Sequence, residues 1–177
     1  MILAIDPGLD GALVLTDGTA LQVFDVPTLT AGKGREVDGL AVAQWLDERS
    51  QQIRAAFLER VNAMPSIPGP NGKRRTMGAQ SAFAFGRTDG LLHGLVVASL
   101  IPTTRVTPAT WRKAMAVPKG KDGARARAKE LLPAHGHRFD RKKDDGRADA
   151  ALIALYGLRQ LNAAGESIPQ QAEIANV

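Results

Sequence analysis

A chain of 177 residues, 44% of them hydrophobic, is the size of one compact domain with its own core. It has no cysteine, which excludes a disulfide framework and a thiolate zinc site and leaves any metal chemistry to oxygen or histidine ligands. The formal charge of +5 and pI of 9.9 favour a polyanionic partner, while no apolar run approaches the roughly 20 residues of a membrane helix, so a cytoplasmic protein with no membrane contact is expected.

The opening reads as a meander of three antiparallel strands, because residues 2–5, 12–16 and 21–26 are apolar runs separated by turn signals. Pro7, Gly8, Asp10 and Gly11 mark the first connection, and Asp17-Gly18 predicts a tight primed turn in the second. Residues 28–34 read as a Gly/Thr loop, after which Val37, Leu40, Ala41, Val42, Trp45 and Leu46 recur at helical spacing toward Gln51. Residues 55–58 suit a buried strand that delivers Glu59 at its end. The segment 64–78, rich in Pro and Gly, predicts a mobile loop carrying Lys73, Arg74 and Arg75. Helical character returns over 81–100, with Ala82, Phe85, Leu92, Val96 and Leu100 as expected buried positions and Gly86, Gly90 and Gly94 spaced to admit another helix. A strand at 104–106 precedes Thr107-Pro108, an N-cap followed by a first helical residue. Residues 121–132 and 146–161 predict two further helices, the first stopped by Pro133. The expected organisation is one domain over 1–163 and a polar tail over 164–177.

More than half of the Lys and Arg residues fall between Arg105 and Lys143, and this basic stretch runs into a cluster of acids. Each acid has a plain structural reading on its own. Asp6 before Pro7-Gly8 is a good turn former, Glu59 an exposed strand end, and Asp144, Asp145 and Asp149 are acids near a helix N-terminus. In combination they imply more, since Asp6 and Glu59 end apolar strands expected to be neighbours, and Asp145 and Asp149 share a helical face at i, i+4. Converging carboxylates repel one another unless a cation neutralises them, and hard oxygen ligands select Mg²⁺ or Mn²⁺. Such a site suits phosphodiester hydrolysis, in which two ions roughly 4 Å apart activate a water and stabilise the departing 3′ oxygen. Trp111 reads as helix-packing core, and His93, His135 and His137 fall in no ligand pattern.

Several segments, in order and spacing, resemble the RuvC family of Holliday junction resolvases: Asp6-Pro7-Gly8, Phe57-Leu58-Glu59, the stretch 81–91 from Ser81 through Arg87 to Leu91, the element 107–113 containing Trp111, Arg112 and Lys113, and Asp144-Asp145-Gly146-Arg147-Ala148-Asp149-Ala150. The similarity covers roughly residues 1–160, and the last motif is most similar to phage-type members. The resemblance implies a ribonuclease H-like α/β fold: a five-stranded mixed sheet, three antiparallel strands then two parallel, with helices on both faces. It implies a homodimer that binds a four-way DNA junction and nicks two opposed strands symmetrically, using Mg²⁺, with Mn²⁺ able to substitute, as two ions per site and no nucleotide cofactor. By position, Asp6, Glu59 and Asp149 would be metal ligands and Asp145 the fourth. Cellular members carry the fourth ligand three residues before the last aspartate, where this chain has Gly146; Asp144 stays open as the alternative to Asp145. The expected DNA contacts are Lys73, Arg74 and Arg75 in the loop, Lys113, Lys119 and Lys121 beside the scissile phosphate, and Arg87, Arg112, Lys142 and Lys143 in or beside the matching segments. Gly123 stands where another lysine is expected.

Three rivals remain at the level of sequence. The first is a nuclease on the same fold that prefers forks, flaps or RNA hybrids, because fold does not choose substrate; cleavage compared across those substrates separates them. An actin-like ATPase also begins with a strand ending in Asp6 and a glycine-bearing turn, but needs two such halves and would bind nucleotide. A non-catalytic junction-binding protein would bind without cutting in Mg²⁺.

Overall fold

The computed structural model describes residues 1–32, 34–61, 67–68, 74–75 and 78–165, and for 67–68 and 74–75 only the backbone. Three antiparallel strands, β1 (Ile2–Asp6), β2 (Ala12–Thr16) and β3 (Leu21–Asp25), open the chain as expected. The second connection is wider than a two-residue turn. Thr16 pairs with Leu21, and the Asp17 carboxylate accepts from the backbone N–H groups of Thr19 and Ala20, so the aspartate organises a four-residue loop instead. The segment read as a Gly/Thr loop is a hairpin, β4 (Thr28–Ala31) with β5 (Gly34–Val37), set apart from the main sheet. Thr28–Ala31 alternates threonine and apolar residues too briefly to stand out by periodicity, and Gly34–Val37 does not alternate at all.

Asp38 caps the next helix, α1 (Gly39–Asp47), by accepting from the Ala41 N–H at 3.0 Å. Strand β6 (Ala55–Glu59) follows, then the short antiparallel pair β7 (Ile67–Pro68) and β8 (Arg74–Arg75) within the segment expected as a loop. Helix α2 (Ala79–Ala98), strand β9 (Thr103–Val106), and helices α3 (Pro108–Ala114), α4 (Gly123–Leu131) and α5 (Asp145–Ala163) complete the fold. Thr107 and Pro108 take the N-cap and first helical positions read from the sequence.

The main sheet has the order β3-β2-β1-β6-β9, with β1 parallel to β6 and β6 parallel to β9. Successive residues of β1 alternate between two cores, as a strand's period of two requires. Ile2 and Ala4 pack with Phe57, Trp111 and Leu152 on the face covered by α3, α4 and α5, while Leu3 and Ile5 pack with Val42, Leu46 and Leu92 on the face covered by α1 and α2. On α2 the buried residues are Thr88, Leu92 and Val96; Leu100, expected in the core, is 77% exposed. It lies just past the helix end with φ 55°, where the chain turns through the left-handed region and swings the side chain into solvent.

Helix α5 lies close on the sheet because its inner face is built of small residues: Ala148, Ala151, Ala154 and Gly157 are buried. A Cβ added at Gly157 would lie 2.4 Å from Cδ2 of Phe57, a ring that also packs edge-on against Tyr156. Gly157→Ala therefore overpacks a rigid ring contact, at about 1–3 kcal/mol, against a helix-propensity gain of up to about 1 kcal/mol. Urea unfolding is expected to show a net loss, whereas Gly86→Ala on α2, where an added Cβ meets nothing within 4 Å, should be neutral or stabilising.

Candidate active site

Register and parity place the first two acids. Ile5 pairs with Leu58 in the parallel β1–β6 ladder, so Asp6 and Glu59, each one residue on, stand side by side at the carboxyl edge of the sheet. Asp6 follows Ala4 and Ile2, and Glu59 follows Phe57, in the alternation that faces α5. The third acid, Asp149, comes from the second turn of α5. Glycines let that helix come near. A Cβ at Gly11 would lie 2.1 Å from the Asp6 carbonyl oxygen, and a Cβ at Gly146 would lie 2.4 Å from the Asp10 carbonyl oxygen, 2.7 Å from Gly11 Cα and 3.0 Å from Asp6 Oδ2. The first turn of α5 is thus seated on the β1–β2 turn beside the Asp6 carboxylate, and no side chain fits at position 146.

The electrostatics record the convergence. Burial, then the charges of Glu59 and Asp149, push the Asp6 carboxyl up to about 8. Asp149 is raised to about 6, by burial first, with Asp145 adding to the shift and Arg112 opposing it. Glu59 is also raised, by burial and by Asp149, against a hydrogen bond from Trp111 that holds it down. Two neighbours on α3 engage these acids. The buried Trp111 donates its Nε1–H to Glu59 Oε2 at 2.7 Å, and Arg112 Nη1 donates to Asp149 at 3.2 and 3.3 Å. Among the described residues no three His, Asp or Glu side chains are arranged to hold a metal ion. The donor set nonetheless suits a hard divalent cation, being carboxylate throughout and under mutual repulsion that such a cation would relieve. Two of its members, Glu59 and Asp149, are engaged by α3 instead.

The two remaining acids differ sharply. Asp145 is exposed and accepts from Arg125 Nε at 2.7 Å, directed toward α4. Asp144 is buried and saturated: it accepts from the Arg141 backbone N–H and guanidinium and pairs with Arg147. Burial alone would raise it, but the Arg141 hydrogen bonds carry it below the usual carboxylate range. Asp144 therefore holds the start of α5 in place.

Of the basic residues singled out in the sequence, Lys113, Lys119 and Lys121 are exposed on and after α3, and Lys142 and Lys143 line a cleft with Asp10, Gly11, Arg35 and Asp145. Arg87 pairs with Glu36 on β5 at 2.9 Å. Lys73 and the side chains of Arg74 and Arg75 lie outside the described residues. Three contacts had escaped sequence reasoning: Trp111 to Glu59, Arg112 to Asp149, and Arg35 on the unforeseen hairpin to Asp10 at 2.8 Å. The Trp-Arg pair sits directly after a strand whose end adjoins Glu59, and that adjacency was its one available signal.

No family model matches the sequence, and no curated protein is similar to it at the sequence level. Solved structures are similar. T. thermophilus RuvC in complex with a Holliday junction substrate matches 93% of this chain and 95% of its own at TM-score 0.57 and 15% identity. This chain has the RuvC fold. Thermus thermophilus RuvC in a second structure gives TM-score 0.49 and 16% identity over 93% of this chain and 96% of its own. The five-stranded mixed sheet with helices on both faces, implied by the sequence resemblance to RuvC, is what the structure contains. Among the described residues no helix is long and apolar enough to cross a membrane.

Two outcomes follow from this geometry. Gly146→Ala must push the α5 turn off backbone atoms, and a melting experiment should find the variant destabilised by about 1–3 kcal/mol. Folded Asp6 and Asp149 hold protons at pH values where the unfolded chain, with carboxyls near 3.8, has lost them, so stability in EDTA falls as pH rises from near 4 to about 8. Melting temperature measured from pH 5 to pH 9 should decline, and Asp6→Asn should flatten that decline; an equal slope in the variant would mean that folded Asp6 does not hold its proton over this range.

Proposed function

We propose that this protein is a divalent-metal-dependent endonuclease that resolves four-way DNA junctions by paired, symmetric nicks in opposed strands. The observation that carries the reading is the convergence of Asp6, Glu59 and Asp149 at one edge of a sheet whose fold is shared with a junction-bound RuvC. Asp6 and Glu59, fixed by strand pairing, and Asp149, fixed by the seating of α5, offer hard oxygen donors, with Asp145 one turn before Asp149 as the fourth. Two bound Mg²⁺ ions, or Mn²⁺ in their place, would supply Lewis acidity to activate a water and stabilise the departing 3′ oxygen. Lys113, Lys119 and Lys121 on and after α3, and Lys142 and Lys143 just before α5, hold strand phosphates, and Arg87, Arg112, Lys73, Arg74 and Arg75 are further DNA contacts in this reading. No nucleotide is required. The likeness to phage-type members rests on the Asp144 to Ala150 motif alone.

Symmetric nicking needs two sites, and α2 supports a second copy of the chain as partner. Phe83 and Val97 are 75% and 51% exposed on this helix, and added Cβ atoms at Gly86, Gly90 and Gly94 meet nothing within 4 Å. An apolar, low-relief helix face of that kind is suited to close packing against its own symmetry mate.

The test is cleavage of a labelled mobile four-way junction beside a fork and a matched linear duplex, in Mg²⁺ or EDTA. Wild type is expected to nick opposed strands of the junction in Mg²⁺ only, and Asp149→Asn to lose on the order of a thousandfold in rate, the several kcal/mol that metal-assisted charge stabilisation supplies. A junction bound but uncut would reduce the protein to a binding module. Equal cutting of the fork would make it a broader branched-DNA nuclease.

A further inference from the structure

Arg112 occupies the carboxylate face on which a cation would bind. Its Nη1 lies 3.2 Å from Oδ1 and 3.3 Å from Oδ2 of Asp149, covering both oxygens, and its guanidinium carbon stands 5.0 Å from the centroid of the Trp111 ring. Trp111 treats Glu59 differently. Its single N–H engages Oε2 and leaves Oε1 free to accept another ligand, so that hydrogen bond and a bound cation are compatible. A guanidinium and a divalent cation on the same two oxygens are not, because like charges at contact distance in a half-buried site repel one another. Arg112 has an alternative. Its side chain is 37% exposed, beside the exposed Lys113, and the guanidinium fork matches a phosphate as well as a carboxylate.

We propose that Arg112 is a built-in competitor of the divalent cation at Asp149, and that a DNA phosphate draws the guanidinium off and so raises the site's affinity for metal. The inference rests on the metal-site reading above and adds coupling to it: because linkage is reciprocal, metal also raises affinity for DNA. Arg112 acts as a positioning residue. In the resting protein it neutralises Asp149 and keeps the acid cluster from repelling itself apart; with DNA bound, the same charge moves to the substrate.

The experiment is calorimetric titration of Mn²⁺ into the full chain, without DNA and with a short duplex against a DNA-only blank. Arg112→Gln keeps a polar side chain without the charge, and Arg54→Gln removes one exposed positive charge before the start of β6, at the end of that strand opposite Glu59. Without DNA, Arg112→Gln should bind Mn²⁺ about two- to fivefold more tightly than wild type, the worth of an ion pair of this exposure, while Arg54→Gln changes little. Duplex should tighten Mn²⁺ binding to wild type and lose that effect in Arg112→Gln. Unchanged or weaker Mn²⁺ binding by folded Arg112→Gln, as judged by circular dichroism, overturns the proposal and leaves the metal-site reading intact. Equal tightening by both glutamine variants overturns it too, since net charge alone would then account for the change. Failure of wild type and both variants to bind Mn²⁺ at all overturns the metal site itself, and the proposal with it.

Discussion

The site depends on the contact between the first turn of α5 and the β1–β2 turn. A Cβ at Gly146 would meet backbone atoms of Asp10 and Gly11 at distances no Cβ tolerates and crowd the Asp6 carboxylate, and one at Gly11 would meet the Asp6 carbonyl just as closely. Only backbone against backbone brings a helix this near the end of a strand. That approach sets where Asp149 stands relative to Asp6, and with it the burial and repulsion that raise both carboxyls. The contact is braced by charges that take no part in the acid cluster. Asp144, buried and ringed by Arg141 and Arg147, ties down the turn before α5, and Arg147 reaches on to Asp25 at the end of β3.

Holding like charges together costs stability, so the surroundings compensate in graded ways. Arg125 on α4 takes up Asp145, Arg112 on α3 takes up Asp149, and Trp111 donates to Glu59, while Asp6 is left with the largest upward shift of the three. Among the described residues neither Asp6 nor Glu59 has a basic side chain in salt-bridge contact, and Asp6 is the more deeply buried of the two. A fold optimised for stability alone would pair or remove such a group; retaining it is the pattern expected where a site is strained toward binding a cation. The α3 helix has a double part in this arrangement, since its buried Trp111 anchors it in the α5-side core while its next residue faces the acids.

Most of the fold was readable in the residues. Alternation and turn chemistry gave β1 to β3, Thr107-Pro108 gave the start of α3, and small, apolar spacing gave α5. The hairpin β4–β5 was hidden because two four-residue strands carry too little periodicity to be told from a polar loop, and Val37 is the one strand residue of the pair that is buried. Leu100 was misplaced for a related reason: hydrophobicity marks a residue as fit for the core, but a left-handed turn after a helix decides which way its side chain goes.

By itself the sequence determined the chemical character of the site: carboxylates at the ends of apolar strands and on one helix, no thiol, and a basic stretch running into them. Those choices are local, written in residue type and spacing. Which carboxylates meet was decided by tertiary structure, because parallel pairing of β1 with β6 and the glycine contact of α5 join residues more than fifty positions apart. The same is true of their restraints. That Asp144 is saturated by arginines, that Asp145 turns to Arg125, and that Trp111 and Arg112 engage Glu59 and Asp149 all follow from packing between elements, which no spacing along a single chain segment encodes.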